Sequence, residues 1–240
     1  MNKKIYFFIF FIWIGWINNA FSSVTLLGNR IIYPANAQDK TLEFTNNDNT
    51  PALVQIWTDV NDPKSSPENK GPFIAIPAIF TIDAKSKQLV KIAYNSEANP
   101  DDRESIFYLN YLSIPSVSKQ DATKNKLMIM VTNRVKIFHR PKNLSIQQSD
   151  VINNIKFERV GNTLKVSNPT PYYATVTTAK ISNSNKKHNI NIDSSQLDMI
   201  SPFGEIYWPI PSNYNQGLIK LNFGLINDYG TETKREITIM

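Results

Sequence analysis

Cysteine is absent from the 240-residue chain, and histidine occurs only at His139 and His188. Without thiols there is no disulfide scaffold, no thiolate nucleophile and no cysteine-ligated metal. His139 closes an apolar run with no partner His nearby and reads as structural. His188, in Asn185-Lys186-Lys187-His188-Asn189, reads as part of a solvated turn. Glycine is scarce, at eight residues, and none builds a phosphate-cradling loop or a nucleophile elbow. Two acidic groups remain, Asp59 with Asp62 and Asp101-Asp102 with Glu104. Both sit beside Asn and Pro, where aspartate serves local backbone bonding. No catalytic site, cofactor or metal is expected.

Long apolar runs are missing too, with one exception at the start. Lys3 and Lys4 precede an apolar stretch from Ile5 to Ile17, and Ala20-Phe21-Ser22 supplies small residues at a cleavage site. Residues 1–22 therefore read as a secretory signal peptide, too short and too soon followed by polar sequence for a transmembrane anchor. The mature chain is then 218 residues with a formal charge of +4, down from +6 for the whole. So mild a surplus gives no nucleic-acid footprint. An exported chain without disulfides must stand on its hydrophobic cores, and this length supplies them.

Helical periodicity is nearly absent. Short β-branched and aromatic segments recur between clusters of Asn, Asp, Pro and Ser, which predicts an all-β protein. The segment Leu26–Pro34 reads as the first strand. Others are expected at Thr41–Thr45, Leu53–Asp59, Ile79–Ile82, Gln88–Ala93, Ser105–Ile114 and Lys126–Phe138. The second half adds Ile155–Arg159, Thr163–Ser167, Tyr173–Ile181, Leu218–Ile226 and Glu232–Ile239. Pro141, in Arg140-Pro141-Lys142-Asn143, suits a strand exit. A boundary there divides the mature chain into residues 23–142 and 143–240, each the length of an immunoglobulin-like sandwich. The polar stretch Ser182–Asn191 reads as a hairpin tip or loop.

Two features ask for more than a core. Leu127-Met128-Ile129-Met130-Val131 is apolar on both faces of a strand. One face can fill the domain's own core, and the other needs cover from a second sheet or from a partner chain. In addition, Arg30 interrupts one apolar strand and Lys136 another. Such cations are either edge residues reaching to water or a pair converging on an anion.

Five motifs in order complete the picture. They are Asn29-Arg30-Ile31-Ile32-Tyr33-Pro34, then Asp102 to Asn110 with Ile114-Pro115-Ser116, then Arg134 to Pro141, then Asn168-Pro169-Thr170-Pro171-Tyr172-Tyr173, and finally Asn227-Asp228-Tyr229-Gly230. In these the mature chain resembles the PapD-like family of periplasmic pilus-assembly chaperones. Asn99 and Tyr111 stand where the family prefers aliphatic residues, and the second-domain disulfide of some members cannot form. The short connection at residues 116–125 resembles the short-loop members.

The resemblance implies two immunoglobulin-like β-sandwich domains in an L-shaped arrangement, located in the periplasm. It implies pilus or fimbrial subunits and an outer-membrane usher as partners. It leaves open whether the free protein self-associates. By position, Arg30 and Lys136 would hold the C-terminal carboxylate of a subunit. Leu127, Ile129 and Val131 would be the donor side chains that complete the subunit's sandwich. Glu104, Arg140 and Asp228 would form an interdomain charge network. One difficulty attends the donor strand. Lys136 lies nine residues from Leu127, so alternation puts them on opposite faces unless a bulge or twist re-aims Lys136. The alternative function is a structural or adhesive subunit of a surface fibre, which would show an N-terminal extension and lack its last strand.

Overall fold

In the computed structural model the described residues are 24–239, apart from 69–70, 97–98, 117–129, 184–188 and 213–216. The signal segment, Leu127, Ile129, nearly all of the 116–125 connection and His188 lie outside them.

The first half folds as two facing sheets. One has the order β1 (Val24–Leu26), β3 (Lys40–Asn46), β7 (Lys87–Tyr94), β5 (Phe73–Ile76). The other has the order β2 (Arg30–Pro34), β9 (Val131–Arg140), β8 (Ser105–Pro115), β4 (Ala52–Asp59), β6 (Ile79–Ile82). Alternation along each strand sends one set of side chains inward. Leu42 and Phe44 of β3, Val54 and Ile56 of β4, and Phe107, Leu109 and Tyr111 of β8 meet Ile31, Val90 and Ile137 in one core. Tyr111 lies in that core, its ring edge-on to Phe44.

The segment expected to be one strand at Leu26–Pro34 is two. Gly28, at φ 92°, breaks it, and only glycine takes that conformation without strain. Before the break β1 pairs with β3, and after it β2 pairs with β9, so the chain crosses from one sheet to the other. The β2–β9 pair is parallel, with Arg30 opposite Lys136 and Pro34 opposite Arg140.

The second half repeats the plan. A three-stranded sheet runs β10 (Lys156–Val160), β11 (Thr163–Ser167), β15 (Glu205–Pro209). It faces a sheet of β13 (Ile190–Asn191), β12 (Ala174–Asn183), β16 (Ile219–Ile226), β17 (Glu232–Ile239), with β14 (Met199–Ile200) also on β12. Leu164, Val166, Trp208, Ile181, Leu221 and Phe223 fill this separate core. A helical turn at Gln148–Asn154 enters it through Val151 and Ile152. Two cores, each between two sheets, make two immunoglobulin-like domains.

His139 is buried in an aromatic cage. Its ring stacks on Tyr33 and tilts against Tyr94, with Phe107 edge-on, and Asn99 faces its Nδ1 at 3.4 Å while donating to the Tyr94 hydroxyl at 2.6 Å. Burial holds its pKa below the ordinary histidine value, so the folded form keeps the ring neutral. As pH falls below about 6.5 the unfolded chain takes up a proton that the folded His139 resists, and stability should decline. Urea midpoints measured between about pH 7.5 and 5.5 should show this slope in the native chain and a flatter one in His139→Gln. Equal slopes would assign the ring no part in it.

Candidate functional site

Strand β9 decides the geometry. Val135 and Ile137 point to the core, so Arg134, Lys136, Phe138 and Arg140 point out of the sandwich. The register with β8 is unbroken from Val131 to Arg140. No bulge re-aims Lys136, and none is needed: it already shares a face with Arg30, its register partner on β2. Val131 has the parity of the core-facing residues and is 58% exposed at the upper end of the strand. The segment Val131–Val135 pairs with β8 on one side, while its other edge has no strand partner among the described residues. That open edge ends where β2 begins, at Arg30.

The two cations are poorly satisfied. Arg30 reaches the carbonyl of Ile226 at 3.4 Å and leans on the Phe138 ring at 5.6 Å, while its Nε is buried without a hydrogen bond. Lys136 has no hydrogen bond or ion pair among the described residues. Burial lowers the pKa of both, more than the acids around them restore, and Arg140 adds to the lowering at Arg30 as Arg30 does at Lys136. Asp228 and Glu104 act on Arg30 from a distance, and Asp198 of the second domain acts on Lys136. Two adjacent, half-buried cations without a close acid have the chemistry to accept an anion such as a carboxylate.

Just below, the domains are joined through charges. Arg140 donates from Nε to Glu104 at 2.7 Å and from its two terminal nitrogens to Asp228 at 2.6 and 2.7 Å. Glu104 is almost fully buried and also accepts from the backbone N–H of Tyr173 at 2.8 Å. Burial drives the Glu104 carboxyl above the usual carboxylate range, against the pull of Arg140. Arg140 is the reverse case: burial opposes its charge, but Asp228 and Glu104 bind the cation more than enough to compensate. Two turns of the second domain hold these partners in place. Buried Asn168 donates to the carbonyls of Tyr172 and Ser201 and accepts from Thr170, fixing the turn. That turn aims the Pro171 carbonyl at the Glu104 N–H and sets Tyr172 against Arg140. Asn227 accepts from the N–H groups of Tyr229 and Thr231, a local turn that holds out Asp228. Gly230 sits at φ 77°, a left-handed conformation that favours glycine, and its backbone approaches the Asn29 side chain.

A second network was not anticipated. Arg134 donates in two-pronged fashion to Asp59 at 2.8 and 3.0 Å and to the Asp62 carbonyl at 3.0 Å. Asp59 also accepts from Asn110 at 2.6 Å and Ser65 at 2.9 Å, and Ser65 accepts from Trp57 at 3.1 Å. The expected backbone role of Asp59 is present as well, through the N–H groups of Asn61 and Asp62. Although burial pulls its pKa up, these donors hold the carboxyl below the ordinary value. The only local hint was the turn-forming context of Asp59. Its partner Arg134 stands 75 residues away. By contrast, Asp102 pairs with its neighbour Arg103 at the surface.

Comparison with known proteins agrees with this fold. Residues 23–145 match the pili and flagellar-assembly chaperone family, PapD N-terminal domain, and residues 150–237 match the pili assembly chaperone PapD, C-terminal domain. The chain belongs to the PapD chaperone family. The chaperone protein HifB of Haemophilus influenzae is 33% identical over 91% of this chain and 88% of its own. FimC of Escherichia coli K12 is 32% identical over 91% of this chain and 85% of its own. Among solved structures, the YadV chaperone aligns with a TM-score of 0.75 at 29% identity, over 91% of this chain and all of that one. SafB of Salmonella enterica, solved in complex with the SafA pilin, aligns at 0.72 and 26% over 93% of this chain and 98% of that one. Membership in a family of assembly chaperones decides against the fibre-subunit alternative. Among the described residues no helix is long and apolar enough to cross a membrane.

Proposed function

We propose that this PapD-family chaperone is exported to the periplasm through a signal peptide at residues 1–22 and works there through domains at residues 23–142 and 143–240. It binds, folds and caps pilus or fimbrial subunits and delivers them to an outer-membrane usher. The observation that carries this is the register-matched pair Arg30 and Lys136 at the end of an open strand edge. A subunit strand laid along β9 in the same direction would end against β2, its terminal carboxylate arriving between the two cations. Charge-assisted bonds of this kind contribute about 1.5–3 kcal/mol each. They fix the register of the incoming chain.

The same parity supports the donor role of Leu127, Ile129 and Val131. Of the three, Val131 is among the described residues: it has the inward parity of Val135 and Ile137 yet is exposed, so the apolar face of β9 runs past the rim of the chaperone's own core, and Leu127 and Ile129 follow the same alternation in the sequence. Val131 and Lys136 project from opposite faces of β9, so donors and anchors would not compete: the donors would complete the sandwich of the guest while the anchors grip its tail. Strand addition of this kind is an established mode of recognition. Glu104, Arg140 and Asp228 would set the angle between the domains and with it the cleft that receives the subunit.

Co-expression tests the reading. The native chain should pull down a pilus subunit encoded beside it. Arg30→Ala and Lys136→Ala should fold with unchanged circular dichroism and thermal midpoint but recover little or none, about tenfold less or below. Normal yields of complex with both variants would refute the anchoring role.

A further inference from the structure

Four residues stand in one row across the outer sheet. Arg30 is opposite Lys136, Lys136 opposite Tyr108, and Tyr108 opposite Asp59, so all four project from the same face. Tyr108 thus flanks Lys136 on the side away from Arg30. Its ring lies under the Arg134 guanidinium, 4.0 Å from carbon to ring centroid, and that guanidinium is itself clamped on Asp59 and the Asp62 carbonyl. The Tyr108 hydroxyl has no hydrogen-bond partner among the described residues. A clamp of this quality on one face of a ring, with a half-buried donor left idle beside a lysine, calls for an acceptor.

We propose that Tyr108 is a third donor to the anion held by Arg30 and Lys136, and that Arg134 is the positioning residue that fixes its ring. This rests on the carboxylate-anchor reading and extends it. The charge arrangement explains why Arg134 is not an anchor itself: Asp59 neutralises it, whereas Arg30 and Lys136 have no acid so close. A carboxylate has two oxygens and room for about four donors, more than two cations at one flank fill. Burial first, and then Asp59 and Asp198, raises the phenol pKa despite Arg134, so the hydroxyl keeps the proton it donates. Asp198, in electrostatic reach of both Tyr108 and Lys136, would oppose a guest with an additional acid next to its terminus.

The test uses the full mature chain and a synthetic peptide of alternating valine and threonine, made with a free terminal carboxylate and again with a terminal amide. Tyr108→Phe removes one oxygen and keeps the stacked ring, so the thermal midpoint should not move. Its affinity for the acid peptide should fall about tenfold, and for the amide peptide by less than about twofold. Arg134→Lys, which loses the fork but keeps the charge, should reproduce that selective loss and add little to it in the Tyr108→Phe background. Equal weakening for acid and amide would overturn the proposal, because the tyrosine would then act on the strand and not on the carboxylate. So would an unchanged affinity for the acid in Tyr108→Phe when Lys136→Ala abolishes binding, a result that leaves the anchor standing. If Lys136→Ala also binds the acid peptide normally, the anchor reading fails and takes this proposal with it.

Discussion

Arg140→Ala should destabilise the chain by about 3–5 kcal/mol, the largest loss expected from any single substitution in the site. Among the described residues the arginine is the only cation in contact with the buried Glu104, and Asp228 lies across it from the other domain. Deleting it leaves one carboxylate out of reach of water, holding only the N–H of Tyr173, with a second acid close by. The sign of the pH dependence follows from the raised pKa of Glu104. Loss of Arg140 removes the pull that opposes burial and raises the Glu104 pKa further, so the penalty is greatest toward high pH and shrinks as pH falls toward the ordinary carboxylate range and the carboxyl is protonated. Urea denaturation at neutral and at acid pH should therefore show a gap from the native chain that narrows on acidification. An unchanged neutral midpoint would make the triad ornamental. Asp228→Ala is the milder companion, since Asp228 is partly exposed. It should chiefly release the domains from one another, visible as a changed interdomain angle in solution scattering.

Replacing Leu127, Ile129 and Val131 together with serine should leave folding intact and abolish capture of subunits. Full burial of three such side chains is worth on the order of 5–9 kcal/mol before ordering costs. Even after a generous discount the complex should weaken by more than about thousandfold. The exposure of Val131 is the reason to expect little effect on the chaperone alone. Co-purification yield and the dissociation rate of any complex measure the first effect, and the urea midpoint measures the second. A variant that unfolds would instead mark this ribbon as a strand of the chaperone's own core, the reading that pattern alone leaves open.

Much of the fold was legible because β-sandwich strands alternate inside and outside between polar turns. Ile79–Ile82, Thr163–Ser167 and Glu232–Ile239 have the bounds that pattern predicts. What the pattern hides is pairing. Phe73–Ile76 and Glu205–Pro209 end against prolines and carry weak alternation, and they are strands because β7 and β11 bring waiting edges from elsewhere in the chain. The split at Gly28 is equally invisible, since Leu26–Pro34 is apolar enough to pass for one continuous strand.

The site divides in the same way. A cation breaking an apolar strand drew attention to Arg30 and Lys136, but only a parallel pairing across more than a hundred residues sets them side by side. The clamp of Arg134 on Asp59 has no local trace beyond an aspartate in a turn. One carboxylate has oxygens enough both to cap that turn and to hold an arginine.

The parallel pairing of β2 with β9 has a further consequence. Because β2 occupies the lower half of the same lane, a guest strand laid along β9 as proposed would be stopped at Arg30 by a wall of protein. On that reading the lane would measure from the end of the guest, and subunits with different interiors would be held at one depth provided each stops at the same place. Extra residues fused to that terminus would find no room, however well the remainder of the strand matched.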